Sequence, residues 1–339
     1  MSLGLDIGSK TIKVVELNQE GKNFSLRAAG AVGFSGNGDI SQIKDENELN
    51  TMAQIIKKLL SDAKISSKKV AISLPETQVY TRIMKFPPLN EQEIASAVKW
   101  EAEEYIPIPI KEAVIEHQII ERQDTANPPQ VLVLLIAVHQ ELVEKYINLL
   151  GKAGLEVTGV ETTLLSLVRS LAAGNSSGII VDMGGRSTNI AIYKNSELFL
   201  ARSISTAGDA FTRAVSQSFG ISIDQAEQYK RTYGLSLDQL EGKVGNALMP
   251  IFKVVVEEIK KTIHYYQTEY KGEAPGSLVL TGGSSGLPGI STALTKTLGL
   301  EVIMANPFQK IKLDSDSAKN LANYAPLYSV AVGLAMREN

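Results

Sequence analysis

Two stretches of this chain repeat the same pattern about half a chain length apart, and this repeat constrains the fold more than any other feature. The first, LGLDIGSKTIKVVEL, begins at Leu3, and the second, IIVDMGGRSTNIAIY, begins at Ile179. In each, an Asp ends a hydrophobic run, a Gly follows two positions later, and a short polar stretch leads back into apolar residues. Each stretch is therefore predicted to be a strand, a sharp turn and a returning strand.

A turn of this type can bind an anion. Because glycine lacks a Cβ, the backbone at Gly8 and Gly184 can bend tightly and bring its N–H groups close to a phosphate. The neighbouring Asp6 and Asp182 suit a magnesium ion, which keeps most of its waters and takes one or two carboxylates together with phosphate oxygens. A single D-x-G triplet is usually an ordinary hairpin turn. Two copies favour a pair of turns that hold a polyphosphate from both sides.

The composition excludes several classes of function. The chain has 339 residues, enough for two domains with separate cores, and 44% of them are hydrophobic and 21% charged. A formal charge of −3 without any basic cluster argues against a nucleic-acid partner. The absence of cysteine excludes disulfides and thiol chemistry and is consistent with a reducing cytoplasm. His117, His139 and His264 are spaced too widely for a metal-binding motif.

No segment of the sequence is expected to cross a membrane. The longest apolar run, Val131 to Val138, has eight residues, whereas a spanning helix needs roughly 20. The sequence starts directly with a predicted strand and lacks the pattern of a signal peptide. We therefore expect any membrane association to depend on a partner.

Short β-like runs alternate with helical patterns along the whole chain, which predicts an α/β architecture with mixed sheets. After Pro87 and Pro88 a new unit is predicted to begin. It opens with a helix that starts at the N-cap Asn90, with Glu93 three residues later, and stops near Ile106 before two further prolines. The other predicted elements of the first half are a helix at 50–60, strands at 69–74, 113–120 and 131–138, and a helix at 141–150. We place the new unit at about 80–157.

The second half is predicted to carry a third glycine-rich turn. A helical segment at 209–233 and a long helix follow the second hairpin, and the apolar stripe from Phe252 to Tyr270 is most simply core. SLVLTGGSSGLPGI then predicts a strand, a turn containing Gly282, Gly283 and Gly286, and a helix start. Such a turn can receive a nucleotide; the alternative is a tight strand-to-helix connection. Neither the P-loop string nor G-x-G-x-x-G occurs.

These three turns, in this order, resemble the actin-like ATPase superfamily. DIGSKTIK is similar to its first phosphate motif, VDMGGRSTN to its second and LTGGSSGLPGI to its adenosine motif. Within the FtsA-like branch the chain resembles the PilM family of type IV pilus assembly, through WEAEEYIPIPI, AGDAFTRAVSQSFGISIDQAEQYK and the NPF triplet at Asn306 to Phe308. The resemblance covers essentially the whole chain.

This resemblance implies an α/β actin-like ATPase fold, with duplicated ribonuclease H-like lobes and a small α+β insert in the first lobe. The implied divisions are a first lobe at 1–79, 158–175 and 318–339, an insert at 80–157, a second lobe at 176–205 and 272–317, and a subdomain of that lobe at 206–271.

The resemblance also implies ATP or ADP with Mg²⁺ as the bound group, and a role for each matching residue. Asp6 and Asp182 would hold the metal through water. The residues implied to contact the phosphates are Gly8, Ser9 and Lys13 on one side and Gly184, Gly185, Ser187 and Thr188 on the other. Those implied to surround the adenosine are Glu227, Lys230, Gly282, Gly283 and Gly286. Without the resemblance, Glu227 and Lys230 read as a solvated helix face.

Hydrolysis needs a group that positions a water molecule. Glu161 aligns with the polar catalytic position of the relatives, and a carboxylate within hydrogen-bond reach of a water can orient it. The alternative is an ordinary residue near a helix N-terminus. We therefore expect ATPase activity to be slow or dependent on a partner.

Three functions share these motifs. The PilM family resemblance implies an ATP-binding cytoplasmic scaffold of the pilus inner-membrane platform. Such a scaffold binds the N-terminal cytoplasmic tail of a PilN-like membrane protein in a groove between the insert and the first lobe. It also binds other platform proteins, and self-association is left open. An FtsA-like cell-division protein is the first alternative. Because only Arg337 to Asn339 follow the last apolar helix in this sequence, we expect the membrane-binding tail of that family to be absent. A small-molecule kinase is the second, and no substrate loop ending in a catalytic carboxylate is evident.

Overall fold

The computed structural model describes residues 1–21, 23–34, 38–174 and 177–337. Its strands are β1 (Ser2–Ile7), β2 (Thr11–Glu20), β3 (Asn23–Gly33), β4 (Lys69–Leu74), β5 (Val79–Phe86), β6 (Ala113–Gln123), β7 (Gln130–His139), β8 (Glu156–Thr162), β9 (Ser177–Met183), β10 (Thr188–Lys194), β11 (Glu197–Ile204), β12 (Ser277–Thr281), β13 (Glu301–Met304) and β14 (Ile311–Lys312).

Its helices are α1 (Glu46–Asp62), α2 (Glu91–Tyr105), α3 (Gln140–Lys152), α4 (Thr163–Leu171), α5 (Gly208–Phe219), α6 (Ile223–Tyr233), α7 (Lys243–Tyr270), α8 (Ile290–Leu298), α9 (Ser315–Leu321) and α10 (Ser329–Ala335). Within the described ranges, none of these helices combines the length and the apolar character that crossing a membrane requires.

Two of the sheets share one topology, which confirms the prediction of a duplicated α/β fold. Their strand orders are β14-β3-β2-β1-β4-β8 and β11-β10-β9-β12-β13. In each, three strands form an antiparallel meander, and two parallel strands lie beside the first strand of that meander. We call these sheets, with the helices packed on them, the first and second lobes.

The two predicted hairpins are β1–β2 and β9–β10, and they have matching registers. Asp6 lies opposite Lys13 in the first, and Asp182 lies opposite Asn189 in the second. The strands β1 and β9 are almost entirely buried because each lies inside its sheet with structure packed on both faces. Each Asp is therefore held at the end of a rigid, central strand.

A third, antiparallel sheet with the order β5-β7-β6 forms the insert together with α2. The predicted start of α2 is confirmed. The Asn90 side chain accepts hydrogen bonds from the backbone N–H groups of Gln92 and Glu93, both at 3.0 Å, and the Glu93 carboxylate accepts one from Asn90 N–H at 2.8 Å. The helix ends at Tyr105, as the prolines beyond Ile106 predict.

Two segments pack elsewhere than the sequence led us to expect. Helix α3 lay inside the expected insert at 80–157, but its apolar face, including Tyr146 and Leu149, is buried in the core of the first lobe. Strand β14 lay inside the expected second-lobe segment 272–317, but it pairs with β3 of the first sheet. An amphipathic helix and a short strand can bury their apolar side against either neighbour, so local pattern does not decide between them. We therefore propose an insert that ends at His139.

The single helical segment predicted at 209–233 is two helices, α5 and α6. Gly220 ends α5 with a backbone φ of 64°, which is the left-handed conformation that glycine adopts without strain. Ser222 and Gln225 then form a capping box that starts α6. The S-x-x-Q spacing was visible in the sequence and would have located this break.

Candidate functional site

A cleft of about 1730 Å³ lies between the two lobes, and all three predicted glycine-rich turns line it. Most of the predicted site residues also line it, namely Asp6, Gly8, Ser9, Lys13, Asp182, Gly184, Gly185, Ser187, Glu227, Lys230, Gly282, Gly283 and Gly286. Thr188 and Glu161 do not. Residues from opposite halves of the sequence therefore face one cavity.

The two hairpin turns close in the same way. The Gly8 N–H donates a hydrogen bond to the Thr11 carbonyl oxygen and the Gly184 N–H donates one to the Ser187 carbonyl oxygen, each at 3.0 Å. These two N–H groups are used inside the turns. An anion would therefore be bound by the N–H groups of the residues that follow each glycine.

Each buried Asp is held by its partner on the opposite strand. The Lys13 ammonium lies 2.7 Å from the Asp6 carboxylate, and both side chains are buried. The Asn189 amide donates a hydrogen bond to the Asp182 carboxylate at 3.0 Å. Sequence reasoning missed Asn189, although its spacing from Asp182 equals that of Lys13 from Asp6.

The two carboxylates therefore differ in their electrostatic surroundings. Burial raises the pKa of Asp182 to about 6, while the hydrogen bond from Asn189 acts in the opposite direction. The negative charge of Asp6 raises this pKa further, and the positive charge of Lys13 lowers it. Because the charge of Asp6 acts on Asp182, the two acids belong to one electrostatic unit.

The two lobes touch where their turns meet. A Cβ added at Gly185 would lie 2.8 Å from the Ser9 hydroxyl oxygen, so the turns are in direct contact across the cleft. Beside this contact the Lys10 ammonium of the first lobe lies 3.2 Å from the Asp209 carboxylate of α5 in the second. The Asp209 N–H also donates to the Gly185 carbonyl oxygen at 2.7 Å.

The third glycine-rich turn packs directly on the second hairpin. Gly282 has a backbone φ of 89°, and a Cβ there would lie 2.3 Å from a carboxylate oxygen of Asp182. The Ser284 hydroxyl donates a hydrogen bond to the Gly184 carbonyl oxygen at 2.7 Å. The turn can approach the acidic side chain this closely only because position 282 lacks a Cβ.

Glu227 and Lys230 form a partly buried cluster, in which Lys230 is buried and Glu227 is about one-third exposed, rather than a solvated helix face. The Lys230 ammonium lies 2.6 Å from the Glu227 carboxylate and donates to the Gly208 carbonyl oxygen at 3.2 Å. Burial lowers the pKa of Lys230, and the Glu227 carboxylate opposes that shift. Partial burial alone would raise the pKa of Glu227, but hydrogen bonds from Lys230, Thr212 and Arg231 lower it to about 2. The cluster is therefore an ion pair at the wall of the cleft.

Two predicted site residues point elsewhere. The Thr188 hydroxyl is buried and donates to the Thr206 carbonyl oxygen at 2.6 Å, which fixes the hairpin rather than a ligand. Glu161 forms a bidentate pair with Arg169, at 2.6 and 2.7 Å. Its carboxylate is thus bound by α4 and is absent from the cleft lining, so the water-positioning role expected for Glu161 does not fit its placement.

A different acid, Glu76, lies beside the cleft and was missed. It is buried and follows β4, between Pro75 and Thr77, which both line the cavity. Its carboxylate accepts a hydrogen bond from the Leu164 N–H at 2.8 Å and so caps the start of α4 from another part of the chain. The sequence signal was weak, since a single Glu after a strand is common.

We expect the stability of the protein to fall as pH rises, through Glu76. Burial raises the pKa of its carboxyl from 4.5 to about 7, so between these values the folded state keeps a proton that the unfolded state has lost. This contribution is fully present below pH 4.5, and about 3 kcal/mol is lost by the time the pH has passed 7. Urea unfolding measured across this range should show the decline.

Glu76→Gln is the matched variant for this prediction. The amide oxygen can still accept from Leu164 N–H, but the side chain no longer titrates. The variant should therefore be more stable than the parent at pH 8 and lose the decline between about pH 6 and pH 7, whereas the raised pKa of Asp182 still causes a decline below about pH 6. An unchanged slope in the variant would contradict the assignment to Glu76.

The donor set of the cleft fits a hydrated magnesium ion. Such an ion needs only one or two protein carboxylates when phosphate oxygens and water supply the rest, and Asp6 and Asp182 meet that requirement. In the described residues no group of three or more His, Asp or Glu side chains is arranged to bind a metal without such help.

The chain is similar over its whole length to proteins of known structure. A solved structure described as the PilM-PilN type IV pilus biogenesis complex superposes with a TM-score of 0.85 and 27% identity, covering 99% of this chain and 98% of that one. MreB5 of Spiroplasma citri bound to ADP superposes with a TM-score of 0.53 and 14% identity, over 98% of this chain and 94% of that one. The second match concerns the fold alone.

The cell division protein FtsA is a more distant relative. The protein from Escherichia coli K12 is 23% identical over 391 aligned positions, which cover 98% of this chain and 89% of FtsA. The protein from Bacillus subtilis 168 is 22% identical over 246 positions, and that match covers 61% of this chain and about half of FtsA, 54%.

Two lobes of one topology around a cleft with three glycine-rich turns define an actin-like ATPase fold. The family whose sequence model matches residues 4–339 is described as Type IV pilus assembly protein PilM. Because this match spans nearly the whole chain, the chain belongs to the PilM family.

Proposed function

We propose that this protein binds ATP or ADP with Mg²⁺ in the cleft between its lobes. The observation that carries the proposal is the placement of Asp6 and Asp182, which come from duplicated hairpins and face one cavity beside the two glycine turns. The glycine-rich turn at Gly282 and the Glu227–Lys230 ion pair line the same cavity. These are the parts that an adenine nucleotide with its metal requires.

The protein's own groups have distinct tasks in this proposal. Asp6 and Asp182 hold the water shell of the metal, and the Lys13 ammonium, already 2.7 Å from Asp6, contributes positive charge to the phosphates. The N–H groups after Gly8 and Gly184 bind the phosphates from both sides. When bound, Mg²⁺ neutralises phosphate charge and fixes the geometry of the triphosphate.

We propose that hydrolysis is slow or depends on a partner. Glu161, the one acid that the family resemblance puts at the water-positioning place, is held by Arg169. The Thr163 hydroxyl lines the cleft, but it donates to the Leu74 carbonyl oxygen at 3.1 Å. A neutral hydroxyl engaged in this way is a weak base for activating water.

Asp182→Asn should weaken ATP binding about 10- to 100-fold in the presence of Mg²⁺, because it removes a carboxylate that orders the metal's water shell. Isothermal titration with ATP, in Mg²⁺ and in EDTA, measures this. The variant keeps an oxygen that accepts from Asn189, so the hairpin should remain intact. The exposed Asp238→Asn is the control. Equal Mg²⁺-dependent affinities for parent and Asp182→Asn would refute the proposed metal role.

We propose that the protein acts as a scaffold at the cytoplasmic face of the inner membrane, within the type IV pilus platform. Membership of the PilM family supports this, as does the likeness to a PilM that is described in complex with PilN. A PilN-like N-terminal tail would bind between the insert and the first lobe and recruit the protein to the membrane. Other platform proteins would bind the assembled complex.

A labelled peptide with the sequence of a PilN-like N-terminal tail from the same organism should bind the purified protein saturably, as measured by fluorescence anisotropy. A peptide of the same composition in scrambled order is the control, and it should bind at least about tenfold more weakly if backbone pairing and side-chain pockets both contribute. Equal binding of the two peptides would argue against this partner.

A further inference from the structure

A second groove, of about 490 Å³, lies between the insert and the second lobe, on surfaces that the nucleotide cleft does not use. Its long walls are β5 of the insert and β11 of the second lobe. Each is the edge strand of its sheet in the described structure, since β5 hydrogen-bonds only with β7 and β11 only with β10. The groove therefore runs along two sheet edges whose outward backbone groups are not used in sheet pairing within the described structure.

Planar cations lie on aromatic rings along both walls. The Arg82 guanidinium on β5 lies 4.0 Å from the ring centre of Tyr105. The Arg202 guanidinium on β11 lies 5.6 Å from the ring centre of Tyr265. Stacking of this kind restrains a guanidinium while leaving N–H groups at its edge for a ligand.

Neither guanidinium has a carboxylate within ion-pair distance among the described residues. The groove also holds the Lys85–Glu269 pair, at 2.7 Å, and Glu101. That pair joins β5 to α7 of the second lobe, but the two side chains are 40% and 47% exposed, so it is weak and can open. Because Lys85 and Glu269 neutralise each other, the remaining charged groups of the groove are the guanidiniums of Arg82 and Arg202 and the carboxylate of Glu101. Their net charge is positive.

We propose that this groove is the docking site for an extended, acidic segment of a partner protein. The backbone of the segment pairs with the free edge of β5, and its carboxylates accept paired hydrogen bonds from Arg82 and Arg202. Side chains on one face of a strand recur at every second position, so acidic residues at alternate positions suit the site. The tyrosine rings provide apolar contact between them.

A display selection of random twelve-residue peptides on the whole protein tests this, with the Arg82→Ala/Arg202→Ala variant used to remove peptides that bind elsewhere. We expect the enriched peptides to carry Asp or Glu at alternate positions. A synthetic copy should lose at least about tenfold in affinity with either single Arg→Ala variant, because each removes charge-assisted hydrogen bonds. Added salt should also weaken its binding.

Two further variants separate the effect of the positive charge from the effect of the planar donors and provide a control away from the groove. Arg82→Lys/Arg202→Lys keeps the charge but loses the planar pair of donors, so its affinity should lie between that of the parent and the double Ala variant. Lys253→Ala removes an exposed charge on α7 away from the groove and should bind as the parent does. Both arginines are exposed, and circular dichroism should show that these variants fold normally.

Several outcomes would overturn the proposal. These are an absence of peptides that depend on the two arginines, enrichment of basic or purely apolar peptides, or competition between the selected peptide and a PilN-like tail for one site. Arginine-dependent binding to phosphatidylserine vesicles without peptide binding would assign the groove to a membrane surface instead. The assay contains no nucleotide, so its result is independent of the proposed ATP site.

Discussion

Lys13→Ala should destabilise the protein by about 3 kcal/mol, because breaking a buried ion pair leaves an uncompensated charge in a site that water cannot reach freely. The Lys13 and Asp6 side chains are only 8% and 11% exposed, and they lie 2.7 Å apart. Urea unfolding at pH 7, followed by circular dichroism, measures the change. The single tryptophan is a poor probe, since Trp100 is 80% exposed.

The control for this prediction is Lys10→Ala in the same turn. Its ammonium pairs with Asp209 but is 55% exposed, so its loss should cost at most about 1 kcal/mol. Asp6→Asn introduced into the Lys13→Ala background should recover much of the lost stability, because it removes the unpaired charge. If Lys13→Ala costs as little as Lys10→Ala, the pair does not stabilise the first hairpin as described.

Gly282→Ala should cost about 2 to 4 kcal/mol of stability and also abolish most nucleotide binding. Two effects add: the φ of 89° strains any residue with a Cβ, and the new methyl group would lie 2.3 Å from the Asp182 carboxylate and 2.6 Å from the Met183 carbonyl oxygen. The turn or the acid must move, so Asp182 would leave the position proposed for binding the metal. Thermal unfolding and ATP titration measure the two losses.

Gly286→Ala provides the matched comparison in the same turn. A Cβ there meets no atom within 4 Å, and its backbone φ lies outside the left-handed region. This variant should change stability by no more than about 0.5 kcal/mol and should fold normally. Equal losses in the two variants would show that the turn is sensitive to any side chain, rather than to the contact with Asp182.

The parts of the fold that were predicted correctly rest on short-range interactions. The hairpins follow from an Asp and a Gly two positions apart, and the start of α2 follows from Asn90 and Glu93, which hydrogen-bond with one another. The break at Gly220 was missed even though it is equally local. Such features are readable because their partners lie within one turn of chain.

The site itself was predicted only in part. That Asp6 and Asp182 share one cleft could be expected from the duplication, but the placement of Glu161 could not. Its pairing with Arg169 depends on the direction in which β8 presents its side chain to α4. The buried Glu76 depends in turn on the end of β4 meeting the start of α4. Neither contact produces a periodic pattern in the sequence from which it could be predicted.

Short-range patterns were enough to predict the duplicated hairpins, the glycine-rich turn, the capping box at Asn90 and the α/β alternation, because each depends on residues a few positions apart. Contacts between distant parts of the chain place α3 on the first lobe and Glu76, rather than Glu161, beside the cleft. They also bring the edges of β5 and β11 together around a second groove. These placements depend on contacts between surfaces that are far apart in the sequence. Burial and electrostatic interactions stabilise such contacts only after the surfaces have come together in the folded chain.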